Sequence, residues 1–140
     1  MEFFYASALR HYKDAQILRE QGRYDNAVHL YGFAAECALK SLIAVYCDIE
    51  TIKNKYGHSG SEIVRDLYMF AANGGGAGIL EPSLSLKLAK TSMPEVLFKG
   101  HPERRYTDDG TYKKDDADQC EIGAGFLVRE MIAQHINGYI

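Results

Sequence analysis

Apolar residues recur every three or four positions from the start of the chain. Phe4, Ala8, Tyr12, Ala15 and Leu18 lie on one face, while Arg10, Lys13, Asp14 and Arg19 fall on others, so the spacing predicts an amphipathic helix over residues 2–21. Gly22 can take positive φ and end it, and Asp25 is the expected N-cap of the next helix. That second helix, residues 25–46, carries Ala27, Leu30, Tyr31, Ala34, Ala38, Leu42 and Val45 on one stripe, widened by Phe33, Cys37 and Ile43. A helix apolar around so much of its circumference belongs in the middle of a bundle, and Ala34, Ala35 and Ala38 would let neighbours approach closely. Glu36 and Lys40 read as an i,i+4 surface pair worth about 0.2–0.5 kcal/mol.

A polar connector, residues 48–58, precedes a third helix over 61–72, capped by Ser61, with Ile63, Val64, Leu67, Tyr68 and Phe70 as its apolar content. The run NGGGAG at 73–78 breaks the chain, and Ser83–Lys90 adds a short helix. Residues 94–112 mix charge, Gly and Pro without periodicity and read as an extended surface loop. The last helix spans 115–137, its buried stripe marked by Ala117, Cys120, Ala124, Leu127 or Val128, Met131 and His135, with Gly123 and Gly125 explained by close packing. No segment alternates as a strand would. The expected fold is therefore all-α, with four main helices and a short extra one, in one domain over residues 1–140.

Composition narrows the function. In 140 residues, 46% hydrophobic and 25% charged residues are globular proportions, so disorder is not expected. The net charge of −3 gives no global attraction for polyanions, and any nucleic-acid contact has to come from a local basic patch. Cys37, Cys47 and Cys120 form no CxxC pair, which points to reduced, buried thiols and to no metal site or other cofactor. The N-terminal stretch lacks the apolar core of a signal peptide, and residues 31–47 are interrupted by Glu36 and Lys40 before reaching the roughly 18 residues of a membrane span. A cytoplasmic chain without membrane contact is the expectation.

The hairpin LREQGRYDNAVHLYGFAAE resembles a tetratricopeptide unit, which would imply a protein-binding adaptor. Such solenoids need about three copies for stability, and none recurs at about 34-residue spacing. A longer pattern is carried by Ala8, Tyr12, Ala15 and Leu18, then Gly22-Arg23-Tyr24, Ala27, Ala34-Ala35-Glu36 and Ala38-Leu39-Lys40. It continues with His58, Leu67 and Arg105-Tyr106 before the polar loop into the last helix. This pattern resembles the HEPN family. The resemblance implies an up-and-down antiparallel four-helix bundle with a short extra helix, often a homodimer. It also implies either partnership with a minimal nucleotidyltransferase, frequently as a toxin-antitoxin pair, or a metal-independent ribonuclease using an arginine followed a few residues later by a histidine.

Arg129 and His135, with five residues between them, are the candidates for that nuclease pair. Histidine can move a proton at the RNA 2′-hydroxyl or leaving oxygen, and arginine can stabilise the phosphorane's charge. Glu130 puts a negative charge beside them, and in a regular helix the two side chains point about 120° apart. The competing reading has His135 at a core edge or dimer interface and Arg129 solvated. Arg104, Arg105 and Tyr106, with Lys113 nearby, form the basic and aromatic cluster that could hold a nucleotide or RNA phosphate through guanidinium forks and ring stacking. Its alternative is a solvated loop whose charges pair with Glu103, Asp108 and Asp109. The expectation that unites these features is a non-catalytic module binding nucleotide, nucleic acid or a nucleotidyltransferase.

Overall fold

In the computed structural model, which describes residues 3–73, 80, 81 and 83–140, the described residues form α-helices joined by short turns. In chain order these are α1 (Phe4–Glu20), α2 (Tyr24–Ile43), α3 (Ile49–Thr51), α4 (Gly60–Asn73), α5 (Ser83–Lys90), α6 (Glu95–Phe98) and α7 (Lys114–Ile136), with a π-helical turn at Ile52–Tyr56 and a 3-10 turn at Glu103–Tyr106. The fold is all-α, with no strand among the described residues. Apart from Asn73, which ends α4, the break expected at NGGGAG lies outside them.

The pattern of small and apolar residues explains the arrangement. Nearly every residue of α2 from Ala27 to Ile43 is buried, and α2 packs on α1, α4, α6 and α7. Gly22, at φ 76°, lets the chain reverse between α1 and α2: its N–H donates to the Arg19 carbonyl (3.0 Å) and the Arg23 N–H to the Leu18 carbonyl (2.8 Å). This pair of bonds is a Schellman closure, and Gly138 and Tyr139 close α7 in the same way on His135 and Gln134. Across the bundle Arg19 reaches Asp118 (3.0 Å) and Glu121 (2.7 Å), and the Tyr31 hydroxyl donates to Glu121 (2.8 Å), tying α1 and α2 to α7.

Four local expectations are corrected. Asp25 does not cap α2 but sits in its first turn, where its carboxylate accepts the Gly110 and Tyr112 N–H groups (2.7 and 2.8 Å) and anchors that distant loop. The connector 48–58 is not merely polar, because it winds into α3 and the π turn and buries Ile52 and Tyr56. Gly60, not Ser61, begins α4, its bare backbone pressed against the Phe98 ring. Residues 94–112 are an exposed loop only over 105–111, because the segment before it is anchored in the core. Leu97 of α6 is fully buried beside Gly123 of α7, where a side chain would strike Pro94 and Leu97 itself, and Arg104 is buried below it. Burying one such leucine stabilises by about 1.5–3 kcal/mol, enough to pin a segment that has no periodicity of its own.

Candidate functional site

Three separate segments converge on Glu36. The residue lies at the centre of α2, only 3% exposed, with Lys40 one turn further on at 7%. The pair expected on the surface is therefore interior, because α2 is covered on almost every side. Lys40 Nζ donates to Glu36 Oε2 at 3.0 Å and lies 5.7 Å from the centre of the Phe4 ring. His58, just ahead of α4, places Nδ1 at 3.0 Å from Oε1 and 3.2 Å from Oε2. His101, between α6 and the 3-10 turn, places Nε2 at 2.9 Å from the same Oε1.

A carboxylate only accepts, so this network assigns the N–H to Nδ1 in His58 and to Nε2 in His101. Burial pushes the Glu36 pKa up, but the His101 hydrogen bond, the charge and hydrogen bond of Lys40 and the His58 hydrogen bond outweigh it and hold the group at about 2. Glu36 is thus an anion at neutral pH. His101 is enclosed, its side chain 1% exposed, whereas that of His58 is 53% exposed and opens the centre to solvent. A cleft of about 340 Å³ runs past both imidazoles, lined also by Ser59, Ser61, Phe98 and Glu103. The Phe33 ring stands edge-on to His101 at 4.4 Å between centroids, to His29 at 5.0 Å and to His58 at 5.9 Å, forming an aromatic wall behind the polar centre.

Arg104 braces the same region from the other side. Its Nη1 donates to the Val96 carbonyl (2.5 Å) and Nη2 to that of Leu97 (2.7 Å), satisfying the end of α6. Burial lowers its pKa from the ordinary arginine value. Gly32 makes this approach possible: a β-carbon there would overlap Nη2 of Arg104 and lie 2.9 Å from His101 Nδ1. His29, also facing this region, is held at about pKa 4 by burial and then by the neighbouring His101, Arg104, Arg105 and His11.

The residues singled out in the sequence fall in different places. Arg104 points inward with its Nη groups on carbonyls, while Arg105 is exposed, donates to the Pro102 carbonyl (3.0 Å) and lies 4.6 Å from the centre of the Tyr106 ring. Tyr106 is 76% exposed, and Lys113 is bonded to the Gly110 carbonyl (2.6 Å). Arg129 and His135 are both exposed on α7. The His135 ring rests on Tyr5 at 4.6 Å between centroids, so it is no member of the buried stripe, which ends instead at Gln134. Sequence reasoning placed Glu36 in a surface pair and, with His58, in the family pattern, and it joined neither residue to His101. The 42 positions between the two histidines carry no periodic signal that could have joined them.

A helical domain built around one central helix, with a charged centre clamped by two loops, is the class this geometry defines. The chain matches the HEPN domain over residues 1–124 of its 140, and it belongs to the HEPN family. No curated protein and no solved structure matches it. No helix among the described residues is long and apolar enough to cross a membrane.

Proposed function

We propose that this HEPN domain is a non-catalytic binding module that takes a nucleotide, or a phosphate of nucleic acid, at Arg105 and Tyr106 and works beside a minimal nucleotidyltransferase, as in toxin-antitoxin pairs. The observation that carries this reading is the guanidinium of Arg105 stacked 4.6 Å from the Tyr106 ring centre on an exposed turn. The turn itself is held from inside by Arg104 and His101. An aromatic face for a base beside a fork of N–H donors for a phosphate is the chemistry that nucleotide recognition needs. Exposed Ile17 of α1 and Ile122 of α7 support a homodimer, for which light scattering should give twice the chain mass.

ATP should raise the melting temperature of the purified protein, Arg105→Ala should abolish that rise and Tyr106→Ala should reduce it. An undiminished rise in Arg105→Ala sinks the reading. The ribonuclease alternative has less support, because the His135 ring is engaged with Tyr5 at 4.6 Å between centroids. RNA incubated in EDTA should accordingly be cleaved no faster by the wild type than by His135→Ala.

A further inference from the structure

We propose that Glu36, His58 and His101 form a binding site for one divalent transition-metal ion of the zinc class. One ligand atom from each of the three residues lies within 4.8 Å of the other two, and both imidazoles aim at the same carboxylate oxygen, Oε1. A tetrahedral ion bound at about 2.0–2.2 Å requires ligand atoms a little over 3 Å apart. The observed 2.9 and 3.0 Å are the separations of hydrogen bonds, in which protons stand where the ion would. A shift of the half-exposed His58 ring widens its 3.0 Å separation, and the 2.9 Å separation of the enclosed Glu36–His101 pair widens by a few tenths of an ångström as the ion replaces the proton between them.

Several features make this more than a chance cluster. Lys40 holds Oε2, so a single carboxylate oxygen is turned to the ion and its direction is set, the part usually played by groups just outside a metal's ligands. The cleft along His58 and His101 gives water and ions a path to the two imidazoles. Two imidazoles with one carboxylate select zinc, cobalt, nickel or copper over magnesium and calcium, which prefer all-oxygen shells. An ion here would cross-link α2, the entry to α4 and the segment that carries Arg105, which goes beyond the nucleotide reading and does not depend on it.

The test is titration of chelator-stripped full-length protein with Co(II), followed by visible absorption, and with Zn(II), followed by calorimetry. One equivalent per chain should bind, with the intense bands of tetrahedral cobalt. His58→Ala, at an exposed position and so expected to keep the wild-type circular dichroism, should weaken binding by roughly tenfold or more. Glu36→Gln should weaken it likewise, and His135→Ala should leave it unchanged. Failure to saturate at one equivalent overturns the site, as does wild-type affinity in His58→Ala or loss of binding in His135→Ala.

Discussion

Gly32 shows how much a missing side chain can decide. In the interior of a helix, Ala is normally better than Gly by about 0.8–1 kcal/mol. Here a methyl group would enter space held by Nη2 of Arg104 and Nδ1 of His101. Neither neighbour yields cheaply, since the guanidinium is bound to two α6 carbonyls and the imidazole to Glu36. Gly32→Ala should therefore destabilise the protein by about 1–3 kcal/mol in urea unfolding, the opposite sign from helix propensity alone. At this scale the sequence was legible only in part. The small residues Ala34, Ala35 and Ala38 signalled close packing of this helix, but the need for Gly32 did not show, because the arginine that fills the gap comes from 72 positions later in the chain.

Among the elements, the long helices follow from their own periodicity, and α5 coincides with its expected span, Ser83–Lys90. The segment from α6 through the 3-10 turn does not, because its order is borrowed: Leu97 needs the notch at Gly123, and Arg104 needs the notch at Gly32. Adjacent arginines should consequently behave differently. Arg104→Ala strips buried carbonyls of Val96 and Leu97 of their donor and should cost about 2–4 kcal/mol. Arg105→Ala, on the exposed side of the same turn, should stay within about 0.5 kcal/mol. Chemical denaturation of the two variants side by side checks the contrast, and equal losses would mean the turn is not anchored from within.

For the whole molecule, a half-buried histidine and a buried carboxylate shape the response to acid. His29 has a folded pKa of about 4 against an ordinary 6.5, so the unfolded chain takes up its proton first. Its share of stability is complete above pH 6.5 and is lost as the pH falls toward 4. Glu36 is likewise depressed, from 4.5 to about 2, and its contribution, present above pH 4.5, disappears between those values. Thermal unfolding of the metal-free protein should show loss in both windows, and His29→Leu should flatten the upper window while leaving the lower one. The hydrophobic pattern by itself determined an all-α chain and a central α2, because helical periodicity and small-residue spacing are local properties that survive in one dimension. The motif residues Gly22-Arg23-Tyr24, Ala34-Ala35-Glu36 and Ala38-Leu39-Lys40 carried the family resemblance. What surrounds Glu36 was decided only by the tertiary structure. A carboxylate's partners depend on which loops the packing brings across it, and His58, His101 and Arg104 reach that centre through contacts with Phe98, Gly123 and Gly32 that no local spacing encodes.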